Sequence, residues 1–522
     1  MQYKLINIIF FLICFGLIFN NIPKALQMSF WGGPIGDKLV FYLVFFGLCY
    51  TLLCEWKYKN VLVKKKELGM FLFVYIGVTF LSLVFGLACY PFFDDILNGP
   101  IAQIEKLPKV LQLLQNNNIT IKVDTLLPLW MVARMVKSFF LEILYTFVSA
   151  YMFYCWYRNS WCDAFRILIR AVLCSIFIIY IYSFFFEVPY LAGSETCKSI
   201  LEVVNPFIHS IKDEGKWWPP LLWNGQLRSV FAEPSYFGIY TAFTMPFLWY
   251  IVYKDRKVIG VSIIFLLSFL LFLTKARTGF MLLLGEIALL MLFLIIFERN
   301  RDFLKKTSSV VLCILLSFLG SNLFMSTFIN KKSNTTEANI TTTMTEYIDS
   351  NAASLANPDK RSNRARYSIM EADFRIGLDH PILGVGRGLR NGYIPHYLSE
   401  KGKQNGEVKM WLEYREKLGI LKSGFPSLGE YTVRFGETGI LGLLLFLAPV
   451  LFLFFSMIKK IKDDTFQYKL EYEMFLISLL GIMATGIGDT LNITYCYWVL
   501  LGLGYAMCFG KDSSEKDINE RA

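Results

Sequence analysis

Arg228 and Arg277 each abut a tight turn bearing Gly or Pro, in Arg228-Ser229-Val230-Phe231-Ala232-Glu233-Pro234-Ser235-Tyr236-Phe237-Gly238 and Lys275-Ala276-Arg277-Thr278-Gly279. A guanidinium group stays charged and presents a planar fork of donors, so it can grip two phosphate oxygens at once. Arg364, Arg366, Arg375, Arg387 and Arg390 cluster later in the chain, and Arg434 follows. Such a set suits the holding of a phosphate or diphosphate, and the stabilising of its charge as it leaves. The competing reading of any one arginine is a lipid-headgroup contact or an ion pair, as between Arg228 and Glu233. Trp217 and Trp218 could stack on sugar rings or belong to an interfacial aromatic belt. The three histidines, His209, His380 and His396, show no metal-ligand spacing, and there is no CxxC pair or Asp-x-Asp triplet. Neither a metal nor another cofactor is therefore expected.

The elements that position these residues are read from the apolar pattern. Of 522 residues, 55% are hydrophobic and only 18% charged, with a mean hydropathy of +0.47. These proportions exclude a disordered chain, a coiled coil and a small disulfide scaffold, and they argue against a soluble enzyme. The apolar residues fall in about 12 blocks, near the length a bilayer-crossing helix needs. They are 5–19, 39–53, 68–92, 129–154, 167–186, 237–252, 258–273, 280–297, 310–328, 440–458, 474–487 and 495–508. The expected fold is an all-α polytopic membrane protein, one membrane-integral domain over 1–522. A large helical extracytoplasmic loop at 330–438 is expected within it. The first block lacks a small-residue cleavage site and reads as an anchor.

The net charge of +11 belongs to topology rather than to nucleic acid. Lys57, Lys59, Lys64 to Lys66, Arg158, Arg166, Arg170, Lys254, Arg256, Lys257, Arg299, Arg301, Lys305, Lys306, Lys459, Lys460 and Lys462 fill every second loop. By the positive-inside rule that side is cytoplasmic, with both termini inside. Arg228 and Arg277 then lie at the outer membrane face, where a lipid-linked diphosphate would present its head. The 104–114 stretch is apolar on one side and could lie on the membrane surface. Ser333 to Ser354 is polar and reads as flexible. Arg134, Lys137, Glu142, Glu286 and Asp489 fall within spans. A charge at mid-bilayer costs about 2.5–3.5 kcal/mol on insertion scales, so it faces a partner or a wet cavity, or snorkels to the interface. Arg134 and Lys137 share a helix face.

Four stretches in order resemble the bacterial O-antigen polymerase and ligase superfamily. Arg228 to Gly238 is similar to the family's Arg…Phe-x-Glu-Pro-Ser-x-x-Gly segment. Thr274-Lys275-Ala276-Arg277-Thr278-Gly279 resembles its Thr-x-Ser-Arg-x-Gly turn. Asp379-His380-Pro381-Ile382-Leu383-Gly384-Val385-Gly386 resembles its His-Pro-x-x-Gly-x-Gly element, with Arg364-Ala365-Arg366 just before it. Glu437-Thr438-Gly439-Ile440-Leu441-Gly442 resembles its Glu-x-Gly-x-x-Gly entry into a span. The resemblance covers 228–447; the first half of the chain shares topology only. Where ligases of this kind carry a His-Asn pair, Leu428-Gly429 stands here, which favours a polymerase.

The resemblance implies a metal-independent glycosyltransferase in the bacterial cytoplasmic membrane. It would join undecaprenyl-diphosphate-linked oligosaccharides into O-antigen, capsule or exopolysaccharide, beside chain-length regulator and flippase partners. Arg228 and Arg277 would hold the donor diphosphate, and Arg366 or Arg364 would close over it. Arg134, Lys137, Glu233, Ser235, Trp217 and Trp218 are the other expected substrate contacts. With no histidine at 428, Glu430 is the expected general base, since no partner for it is evident in sequence. Glu437 reads as a turn cap or an Arg434 partner, and His396 is the other candidate base. The alternatives are an O-antigen ligase, a transporter of lipid-linked sugars and a structural membrane protein.

Overall fold

The computed structural model describes residues 2–28, 36–59, 67–210, 225–254, 256–297, 301–329, 361–463 and 465–510. Among them the chain is helical, with no strand. A helix occupies each of the twelve apolar blocks. They are α1 (Gln2–Gly16), α2 (Leu39–Tyr58), α3 (Glu67–Ala88), then, after the amphipathic α4 (Leu107–Asn116), α5 (Val123–Ile143) with its continuation α6 (Ser149–Tyr157). α7 (Trp161–Tyr182) precedes α8 (Glu195–Ile208), α9 (Pro234–Tyr253), α10 (Lys257–Leu273), α11 (Arg277–Ile296) and α12 (Arg301–Phe324). The segment that follows α12 forms α13 (Arg361–Asp379), α14 (Arg390–Tyr397) and α15 (Gly406–Leu418). α16 (Glu430–Ile461), α17 (Lys469–Thr485) and α18 (Tyr495–Phe509) complete the chain. Among the described residues, six helices are long and apolar enough to cross a membrane, with three shorter apolar ones beside them.

The helices divide by what surrounds them. α9, α17 and α18 are apolar on every side and buried on every side, so they form the centre. α2, α3, α11 and α12 expose large residues such as Trp56, Phe73, Leu284 and Leu315 along one flank. Exposed apolar surface on that scale matches what lipid tails, not water, would cover. A second, smaller apolar core gathers Ile369, Ala372 and Ile376 of α13 with Ile394, Val408 and Leu127. Arg390 locks it by gripping both Asp373 carboxylate oxygens at 3.0 and 3.2 Å, with the Phe425 and Pro426 carbonyls as further acceptors.

Two contacts between glycine-bearing stretches organise the helices beside this core. In the first, α9 crosses α11 with backbone on backbone. A Cβ added at Gly238 would lie 2.7 Å from the Gly279 Cα, and the reverse holds equally. The second repairs a break in α16. Gly439 adopts φ 63° and ψ −167°, a conformation that favours glycine, and the helix kinks there. The loop 381–386 supplies partners to the broken turn: Val385 and Gly386 donate to the Gly436 and Glu437 carbonyls at 3.0 and 2.9 Å, and the Ile440 N–H donates to the Pro381 carbonyl at 2.8 Å. The kink also moves a boundary. Residues 430–438, expected as the end of the loop, are the first turns of α16.

Candidate functional site

The Gly238–Gly279 crossing brings two motifs to one place. Glu233 is the residue before α9, whose first helical position is Pro234, where a missing N–H costs nothing. Arg277 opens α11. Both line a cavity of about 660 Å³ where these two helices begin. α13 closes it from the other side with Asn363 and Arg366, one turn apart on one face. Arg277 Nη1 donates to Asn363 Oδ1 at 3.2 Å, and Arg366 Nη1 donates to the Gly488 carbonyl at 2.7 Å. The lining mixes polar and apolar side chains. Glu233, Ser235, Lys275, Arg277, Asn363 and Arg366 are among the polar residues, and Met281, Leu282, Met370 and Ile487 among the apolar ones.

Glu233 is the one carboxylate lining this cavity among the described residues. Its Oε2 accepts a hydrogen bond from the Ser235 hydroxyl at 3.2 Å. Burial holds its carboxyl above the usual range and outweighs that hydrogen bond; the nearby Asp489 carboxylate pushes the same way, while Arg366 and Lys38 pull back. Lys275 was not among the sequence candidates. Its backbone is held in the left-handed region at φ 52°, and burial lowers its ammonium below the usual lysine range. The only sequence signal for it was its place inside the arginine turn.

The other candidates lie elsewhere. Arg228 is fully buried behind the 225–233 segment and does not line the cavity. Its Nη1 donates to the Ala232 carbonyl at 3.3 Å, while Nε and Nη2 have no hydrogen-bond partner. Next to it, Ser229 adopts φ 55°, and its N–H donates to Glu187 at 2.7 Å from the π-helical turn that ends α7. Arg228 thus shapes the stretch that ends in Glu233. Arg364 is half-buried on α13, outside the cavity lining. Arg134 stacks on Trp130 at 4.8 Å and donates to the Leu421 carbonyl at 3.2 Å, and Lys137 is exposed; neither reaches the cavity. Trp217 and Trp218 lie outside the described residues.

The pairing expected around Arg434 is reversed. Its Nε donates to Glu430 Oε1 at 2.6 Å, and its other nitrogens reach Tyr75 at 2.5 Å, Glu142 at 2.8 Å and Asn492 at 2.7 Å. Glu437 instead accepts from Arg387 at 3.4 Å and from the Gly388 N–H at 3.0 Å, and Arg387 also pairs with Glu142. The second oxygen of Glu430 accepts the Leu491 N–H at 2.9 Å, so both its oxygens are engaged in a buried network. Far from lacking a partner, Glu430 is 2% exposed and outside the cavity lining. The physical reason is the early start of α16: residues four apart on a helix share a face. His396 stacks on Phe92 at 5.3 Å, also away from the cavity.

Residues 262–415 match the family model described as O-antigen ligase, a segment that carries Arg277, Asn363 and Arg366 but stops short of α16. No curated protein matches this chain.

Proposed function

From the premise that this membrane protein carries a domain of the O-antigen polymerase and ligase superfamily, we propose that it is a polysaccharide polymerase. It joins oligosaccharide repeat units carried on undecaprenyl diphosphate at the outer face of the cytoplasmic membrane. The observation that carries this reading is the convergence of Arg277 and Arg366, from two separate elements, on one cavity with both polar and apolar lining residues. Guanidinium forks suit a diphosphate head, and apolar lining residues suit the lipid tail behind it. The two guanidinium groups offset the charge that grows on the diphosphate as it leaves, which is where preorganised donors lower a barrier most. Arg366 comes from the outer segment and is tied to Gly488, so it completes the site from above.

A second reading, O-antigen ligase, shares this donor chemistry and differs in acceptor. The polymerase reading is favoured by Leu428-Gly429, which stands where such ligases carry their His-Asn pair and here serves to start α16, with Gly429 as its N-cap. Both termini are cytoplasmic in this reading, and a chain-length regulator and a flippase act beside the enzyme. The test is the surface polysaccharide of a deletion strain. A single repeat unit on the final carrier supports a polymerase; no repeat unit there refutes it in favour of a ligase or a flippase.

A further inference from the structure

We propose that Glu233 is the general base of this transfer, an assignment that rests on the transferase reading above. In the step, the acceptor hydroxyl oxygen attacks C1 of the donor sugar. A new C1–O bond forms and the C1–O bond to the diphosphate breaks. The electron pair leaves on the phosphate oxygen, beside Arg277 and Arg366. The hydroxyl proton passes to Glu233, which later releases it to water. The base must reach the cavity that holds the leaving group, and Glu233 is the one carboxylate among the described residues that lines it. Ser235 engages Oε2, which orients the carboxylate. Glu430 fails the same requirement, because Arg434 and the Leu491 N–H engage its two oxygens.

The surroundings of Glu233 come from four elements. Ser235 belongs to its own helix, Arg366 to α13, Asp489 to the loop after α17, and Lys38 to the segment before α2. Arg366 holds the Gly488 carbonyl, so closing of α13 on the site also fixes the neighbour of Asp489. Lys38 stacks over the Tyr236 ring at 5.3 Å on the far side of the same turn. Burial and Asp489 raise the Glu233 carboxyl, which moves a base closer to working pH, where it takes protons more effectively. Asp489 itself accepts the Thr490 N–H at 2.7 Å, a bond its amide analogue can keep.

The experiment uses the purified full chain and the lipid-linked units that accumulate in the deletion strain. Glu233→Gln should lower kcat by about 10²–10⁴-fold. Its Kd for undecaprenyl diphosphate should be unchanged or tighter, because a negative charge has left the cavity. The base works ionised, so the wild-type rate falls as pH drops through the Glu233 carboxyl's raised range. Asp489→Asn should move that acid limb to lower pH and Lys38→Met should move it higher. If the wild type forms no glycosidic bond, the transferase reading fails and the base assignment falls with it. If the wild type turns over and Glu233→Gln keeps kcat within about threefold, or if neither neighbour variant moves the limb, the assignment alone is overturned.

Discussion

Replacing Gly238 with Ala tests whether the α9–α11 crossing sets the site. The added Cβ would lie 2.7 Å from the Gly279 Cα and 3.0 Å from the Gly279 N. Carbon atoms rest at about 3.5–4.0 Å, so the two helices must part by roughly 1 Å. Overpacking of this kind costs about 1–3 kcal/mol, which a large helical core can absorb without unfolding. The site cannot absorb it as easily. Glu233 and Arg277 sit five and two residues from the contact, on the two helices being separated. A displacement of 1 Å in a reacting group costs about 10²-fold in rate. Gly238→Ala should therefore yield folded protein, judged by thermal unfolding in detergent, with chain elongation reduced about 100-fold. Gly285→Ala is the control on the partner helix α11, since a Cβ there meets nothing within 4 Å. Normal polysaccharide length from Gly238→Ala, or an equal loss from Gly285→Ala, would show that the crossing does not position the reaction.

Arg277→Ala and Arg366→Ala should each abolish elongation at unchanged protein level, with Lys recovering only part because a point charge lacks the fork; gel profiles of surface polysaccharide read this directly. Arg228→Ala should differ by lowering the unfolding midpoint as well, since that side chain is buried behind the segment rather than in the cavity. Glu430→Gln should cost about 3–5 kcal/mol by leaving Arg434 short of a partner in a buried network, so protein yield falls while turnover per surviving molecule is kept; quantitative blotting beside a specific-activity assay separates the two. Reporters fused at Asn351 and Lys511 should signal outside and inside respectively, and an extracytoplasmic signal at Lys511 would refute the even number of crossings.

The helical frame was legible because lipid-facing helices leave a long, simple signal, and a helix stands at each of the twelve apolar blocks. Motif spacing likewise pointed to Arg277, Arg366, Glu233 and Ser235, which share the cavity. What failed was pairing. With α16 read as starting at 440, Glu430 and Arg434 had no helical register, and their shared face was invisible. Arg228 shows the other limit. A buried and an exposed arginine look the same in sequence, and only the π-turn carboxylate Glu187 and the twisted backbone at Ser229 show that this one faces inward. Lys275 carries no signal in sequence beyond its place two residues before Arg277. Asp489 was noticed as a charge near a span end, but its proximity to Glu233 depends on contacts across more than 250 residues of chain.

The mended break at Gly439 has a consequence for how such proteins are inherited and built. α16 needs the 381–386 loop to complete its backbone bonding, and the loop needs the kink to receive it. Neither half is a finished part. During synthesis the 381–386 loop emerges before α16, so the ribosome supplies the patch ahead of the fracture it will cover. Among diverging relatives, recombination that imports a foreign segment with this loop but without its own 436–440 would mismatch the two. Chimeras that exchange this segment between relatives should therefore take their crossover points before 361 and after 442, and trade the segment together with the first turns of α16.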